Sequence, residues 1–296
     1  MPDTTDALTN LYKFLLPEDP RPHGFMLPET VAKMPWTPGF NIDHDAKSVS
    51  FAAKAGCTAC LLFKFNNALQ KTVDAAIEQN LFSILNGRHS EHYRIIGTQH
   101  PVTLERFASP LFGIASRGAH MTGFTRMATG EIKVWIPRRA KHLFTYPNML
   151  DTTVAGGVKA DHTPFECIVE EAHEEASLPA DFVRTNAKSV GVLTYMNDVR
   201  KTGLVRPDVL YVFDLEMPTD MVPRPNDEEV ADFTLMSVEE IQRAMAGGDF
   251  KPNCNLVMID FFVRYGILTA ESEPDFVDIV SRLHRKLLVP TSPRME

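Results

Sequence analysis

The sequence predicts an α/β protein in two parts, a small α+β unit over residues 1–110 followed by a larger mixed-sheet α/β domain over residues 111–296. Three observations carry that expectation. A chain of 296 residues, 44% hydrophobic and 23% charged, has enough apolar material for two compact cores. From about Leu111 the apolar pattern lengthens into β-rich runs that alternate with helical spacing. Between Gly156 and Leu178, in GGVKADHTPFECIVEEAHEEASL, a glycine pair leads through a short loop into a helix carrying clustered acids.

Taken in order, Ala7 to Leu16 reads as a short helix, followed by the turn-rich PEDPRPHG. Ser48 to Ala53 reads as a strand, and Asn67 to Asn80 as an amphipathic helix with Leu69, Val73, Ala76 and Ile77 inward. Tyr93 to Gly97 is a further strand. Ile114 to Arg126 and Glu131 to Pro137 flank Ala-Thr-Gly-Glu and form a hairpin. Thr153 to Gly156 leads into the glycine loop. Thr163 then supplies an N-cap, Pro164 a first-turn proline and Glu166 the third member of a capping box, so a helix starts here. Phe165, Ile168 or Val169, Ala172 and Ala176 form its buried stripe. Ser189 to Met196, Val209 to Leu215 and Val230 to Met236 are strands, the last two separated by a proline-rich loop, Pro218 to Asp227. A second capping box, Ser237 to Glu240, opens a helix that stops at Gly247-Gly248, and further helices run from Pro252 to Tyr265 and from Pro274 to Leu288.

The buried stripe of the Thr163 helix fixes what lies opposite. Glu171, Glu174 and Glu175 stand at i, i+3 and i+4, within an arc of roughly 100°. Like charges at this spacing oppose the helix by roughly 0.2–0.5 kcal/mol per pair, a liability that a bound cation converts into a site. Ligands that are all oxygen favour a hard dication, Mg²⁺ or Mn²⁺, over zinc. Gly156 and Gly157, without side chains, let backbone groups approach the metal and a phosphate. A second cluster, Arg138, Arg139, Lys141 and His142, precedes the glycine loop. It reads equally as a receiver of diphosphate oxygens and as a solvated turn.

Composition narrows the partners. A net charge of −8 argues against nucleic acid. The first twenty residues lack a signal-peptide pattern, and no run reaches the ~18 apolar residues of a membrane span. Four cysteines suit a reduced, cytoplasmic compartment. Cys57-Thr-Ala-Cys60 has redox or half-zinc spacing, yet reads first as small residues packing near a strand. His89 and His92, in HSEHY, read as surface residues.

The run Glu170-Glu171-Ala172-His173-Glu174-Glu175-Ala176-Ser177-Leu178, behind the glycine pair, resembles the Nudix box. Glu170 stands where that family usually has arginine, Ser177 replaces its final glycine, and the loop is one residue short, with His162 or Thr163 where an acid is expected. TYPNMLDTTVAGGV before the box, with VPRPNDEEVADFTLMSVEEI and FKPNCNLVMIDFFVRYGIL after it, is similar to a subgroup related to thiamine pyrophosphokinase. The resemblance implies an α/β/α sandwich with a mixed sheet behind an N-terminal α+β domain. It also implies metal binding by Glu171, Glu174 and Glu175, aided by the Gly156 carbonyl, with Glu175 or Glu229 as the base. The implied reaction is hydrolysis of an organic diphosphate, first thiamine diphosphate or an oxidised form, cut to the monophosphate. Tyr195 and Asn253 are candidate contacts for the organic half. The alternatives are a prenyl, nucleotide-sugar or CoA-type diphosphate, an isoprenyl-diphosphate isomerase, for which neither Cys167 nor Cys254 is obviously placed, and a ligand-binding regulator without turnover.

Overall fold

The computed structural model describes residues 9–52, 57–196 and 204–294. It opens with a four-stranded sheet in the order β2-β1-β4-β3, from β1 Tyr12–Leu15, β2 Pro22–Met26, β3 Phe40–Asp43 and β4 Ser48–Phe51. The expected helix from Ala7 to Leu16 is thereby corrected over its described part. Tyr12 and Phe14 are buried while Lys13 is exposed, a period of two, and β1 finds partners in both β2 and β4. Residues Ala7 and Leu8 lie outside the described residues. Helix α1, Pro28–Lys33, and helix α2, Thr58–Glu78, cover this sheet; α2 begins nine residues before the expected Asn67. Cys57 is the N-cap of α2, so the cysteine pair heads a helix instead of packing near a strand. Phe14, Phe65, Leu69, Val73 and Phe112 are centred in this first core. A two-stranded ribbon, β5 His92–Arg94 with β6 Thr103–Glu105, and the short helix α3, Ser109–Phe112, complete the unit.

The second sheet has six strands. β7 Ser116–Arg126 and β8 Ile132–Arg139 form the expected hairpin, and β9 is Val154–Gly157. β10 Lys188–Met196, β11 Pro207–Glu216 and β12 Val230–Ser237 follow, giving the order β10-β11-β7-β8-β12. β11 runs parallel to β7 and the other pairs are antiparallel, so the sheet is mixed. One edge of β7 is shared: Gly118 to Met121 pair with β9, and Phe124 to Arg126 with β8. Around Gly123 the sheet therefore splits, and Thr153 fills the fork by accepting from Gly123 N at 2.7 Å and donating to Trp135 O at 2.6 Å.

Helices cover both faces. On one, helix α4 Pro164–Ala176 and helix α5 Ala180–Asn186 bury Ala172, Ala176 and Val183 against Ala119, Met121 and Phe213. On the other lie helices α6 Val238–Gly247, α7 Pro252–Arg264 and α8 Phe276–Leu283, whose Ile241, Met258 and Phe261 meet Phe124, Ile136 and Val212. α8 is shorter at both ends than expected. A further apolar cluster joins Leu11 and Phe25 of the first unit to Val205, Val209, Leu287 and Val289 of the second. We propose 1–110 and 111–296 as the domain division, the first core running on to Ile114.

Candidate functional site

Helix α4 is positioned by its own first turn. The Thr163 hydroxyl accepts from Glu166 N at 3.2 Å, and the Glu166 carboxylate accepts from Thr163 N at 2.8 Å, with Pro164 just inside. That box sets the rotation of the helix, and the buried stripe docks it, so the acids emerge at a defined height along β9. Glu171 lies against Gly156: a Cβ there would stand 2.2 Å from its Oε1. Glu175 is 8% exposed and accepts from Ala155 N at 3.0 Å. Glu174 is exposed, as is Glu229 on the loop before β12.

These acids influence one another. Burial pushes the Glu171 carboxyl up to about 7, Glu174 adds to the rise, Lys159 opposes it, and Glu229 and Glu170 contribute further. Burial, then Glu171, pushes Glu175 well above the usual carboxylate range. The carboxylate oxygens of Glu171, Glu174 and Glu175 do not converge as tightly as two other groups among the described residues. Those groups, each within 4.8 Å, are His120, Asp151 and Cys254, and Asp74, His89 and Glu105. Mutual repulsion is the physical reason to expect some spread in three neighbouring carboxylates. An oxygen-only set, a glycine backbone against one carboxylate, and two acids displaced upward together fit a hard dication.

The basic cluster serves its own chain first. Arg139 donates to Tyr146 O at 3.3 Å, to Thr145 O at 3.2 Å and to Asp151 Oδ2 at 3.2 Å; Arg138 donates to Asn148 O at 2.9 Å. Both arginines thus brace the loop between β8 and β9, while Lys141 is exposed. Asp151 is the node that sequence reasoning missed. Lys251 donates to it at 3.0 Å, Cys254 Sγ at 2.7 Å and Thr152 N at 2.9 Å. Burial pushes Asp151 up, but Lys251, His120, Cys254 and Arg139 outweigh it and hold the carboxyl below the usual range. His120 is 2.8 Å from Thr152 Oγ1 and 3.3 Å from Asn253 Nδ2. Since Asp151 already faces two cations, His120, Asp151 and Cys254 do not read as a metal site. Asp151 raises the Glu175 carboxyl and Lys251 lowers it, so the charge of this network is felt at the acidic helix.

Tyr195 is half-buried against the α7 side of the sheet and pairs across the ladder with Asp208. Asn253 also belongs to that side, through its contact with His120. The glutamates come from α4, on the opposite face, so Tyr195 is not brought beside them. Asn253 approaches them only through the Asp151 network.

The NUDIX domain family matches residues 119–254. The uncharacterized protein YJR142W of Saccharomyces cerevisiae is 33% identical over 237 residues, 76% of this chain and 69% of that protein. Nudix hydrolase 20, a chloroplastic protein of Arabidopsis thaliana, is 37% identical over 185 residues, 62% of this chain and 48% of that protein. The chain belongs to the Nudix hydrolase family. It spans about half the length of the plant relatives it matches. Among solved structures, DR0079 from Deinococcus radiodurans aligns with a TM-score of 0.40 at 20% identity, covering 66% of this chain and 100% of that one.

Nudix hydrolases generally use divalent metal ions, and two departures of this Nudix box, at Glu170 and Ser177, have structural counterparts. Where arginine is usual, Glu170 accepts from Lys159 Nζ at 2.9 Å, so the cation comes from the loop, where Glu171 and Glu174 also feel it. Where glycine is usual, Ser177 takes the left-handed conformation, φ 55°, and its hydroxyl donates to Arg224 O at 3.0 Å. Lys159, Asp151, His120 and Lys251 are therefore additions of the fold. Only the charge of Lys159, eleven residues before Glu170, offered a sequence signal.

Proposed function

We propose that this Nudix hydrolase cleaves an organic diphosphate with Mg²⁺, or Mn²⁺, held by Glu171, Glu174, Glu175 and the Gly156 carbonyl. The observation that carries the reading is Glu171 lodged against Gly156 with Glu174 and Glu229 acting on it. When bound, the ion neutralises phosphate charge and acidifies water. The chain's own part is to position and to accept a proton. Glu229, exposed on its loop, is the better-supported base, because Glu175 is buried and engaged with Ala155 N. Lys141 is a proposed contact for the diphosphate, with Arg138 and Arg139 shaping the loop that presents it.

Thiamine diphosphate, or an oxidised analogue, cut to the monophosphate, is the substrate we assign first. That choice rests on the sequence resemblance around residues 145–158, 222–241 and 250–268, with Asn253 and Tyr195 as proposed contacts for the organic half. The free cysteines support a reducing compartment, and we assign the cytoplasm; among the described residues no helix is long and apolar enough to cross a membrane.

A panel of organic diphosphates, assayed for released phosphate in Mg²⁺ and Mn²⁺, tests the substrate. Glu174→Gln tests the site: because Glu174 is exposed, the fold should survive while turnover drops by at least about a hundredfold. Near-normal turnover in that variant would refute the assignment.

A further inference from the structure

Outside this site, one pair of nucleophilic side chains is built into the surface of the first unit. Cys57 is the N-cap of α2, a helix of 21 residues, and its Sγ accepts from Cys60 N at 3.2 Å. The Cys57 and Cys60 sulfurs are 2.7 Å apart. Both residues are exposed, whereas Cys167 and Cys254 are buried. Exposed thiols contribute nothing to a core, so packing does not account for their placement. Their proximity spans one helical turn, from N-cap to third helical residue, and a bond between them needs a change of only a fraction of an ångström.

We propose that Cys57 and Cys60 are a redox-active dithiol, which closes to a disulfide at the head of α2 by exchange with a low-molecular-weight disulfide. In the first step the Cys57 thiolate attacks one sulfur of the small disulfide. An S–S bond forms to Cys57, the small molecule's S–S bond breaks, and the released thiolate takes up a proton. In the second step Cys60 gives up its proton and attacks Cys57 Sγ, expelling the second small thiolate, which is protonated in turn. The protein loses two protons and two electrons, and the small disulfide takes up both to become two thiols. The roles are unequal for a local reason. Contact with Cys60, from its thiol and then its backbone N–H, lowers the Cys57 thiol below its ordinary value, while the Cys57 contact raises Cys60. The N-terminal end of the helix favours a thiolate at Cys57 as well.

The test equilibrates the full-length protein with graded ratios of reduced and oxidised glutathione, traps free thiols by alkylation and reads their number by mass spectrometry. The expected result is that the wild type loses two alkylation sites together, with Cys167 and Cys254 unchanged and no lasting glutathione adduct. C60S should accumulate one glutathione, on Cys57, whose thiolate the backbone N–H groups at the head of the helix still favour, and C57S should react at Cys60 at least about tenfold more slowly. Both variants alter exposed side chains, and circular dichroism checks that they fold. The proposal is overturned if the wild type keeps both thiols at every ratio, or holds a stable mixed disulfide that Cys60 does not resolve. Equal reaction rates for the two variants would also overturn it, as would stoichiometric zinc at the pair with no disulfide forming.

Discussion

At Gly156 a single hydrogen atom decides where a carboxylate goes. A methyl group there would meet Glu171 Oε1 at 2.2 Å, and Cγ and Cδ at 2.5 Å. The obstructing atoms are the mobile end of a long side chain, so the strand tolerates the change by moving the carboxylate away. Gly156→Ala should therefore keep the melting temperature within a few degrees of wild type while kcat falls by about one to two orders of magnitude. Unchanged turnover would show that the position of Glu171 is not critical. Ser177 makes the opposite point. It occupies a left-handed position that suits glycine and is held there by its hydroxyl on Arg224 O, so the helix end survives an unfavourable residue type.

At the scale of elements, the division of β7 between β9 and β8 creates the fork in which Asp151 is buried. Arg139 ends β8, Lys251 caps α7 and Cys254 lies in its first turn; one carboxylate ties all three together. His120 stands neutral beside it, pushed down to about 4 by burial and by Lys251. The sign follows from linkage. Between the ordinary imidazole value near 6.5 and about 4, the unfolded chain binds the proton and the fold does not, so His120 costs stability as pH falls. Asp151, held low, adds its loss only as pH drops below the ordinary aspartate value. Glu171, raised, acts in the opposite sense over part of the same window. The clean quantity is thus the difference between wild type and His120→Gln. Urea unfolding should show the wild type's advantage shrinking by up to about 3 kcal/mol from pH 7 to pH 4. Parallel pH profiles for the two proteins would refute a buried neutral histidine.

Across the whole molecule, the first unit touches the loop between β9 and α4 directly. Ala160 N donates to His92 O at 2.8 Å, and Tyr93 bridges to Lys159, so the β5–β6 ribbon is continuous with the loop that supplies the Glu170 cation. The fit is tightest at Gly157, where a Cβ would fall 1.6 Å from the Tyr93 hydroxyl and 2.7 Å from Cζ. Tyr93 is buried and its ring is rigid, unlike the end of Glu171. Gly157→Ala should cost about 1–3 kcal/mol in chemical denaturation. Tyr93→Phe in the same chain should recover part of that loss, because the hydroxyl is the nearest atom. Additive costs in the double variant would mean that the two residues are not in contact.

The sequence by itself determined the acidic helix, its capping box, the glycine pair and most elements of the second unit. Each of these is written locally, in turn chemistry and in periodicity over a few residues. The first unit was less legible: β1 was expected to be helical because Tyr12 and Phe14 sit among leucines at ambiguous spacing, and only pairing with β2 and β4 fixes the strand. The candidate site divides the same way. Glu171, Glu174 and Glu175 share a face because one helix carries them, whatever surrounds it. Asp151 meeting Lys251 a hundred residues later and Tyr93 filling the space over Gly157 were decided by tertiary structure alone, and so was the pairing of the loop lysine with Glu170, of which the sequence showed only the charge. Contacts between distant segments depend on how sheets and helices stack, and no local stretch of chain encodes that.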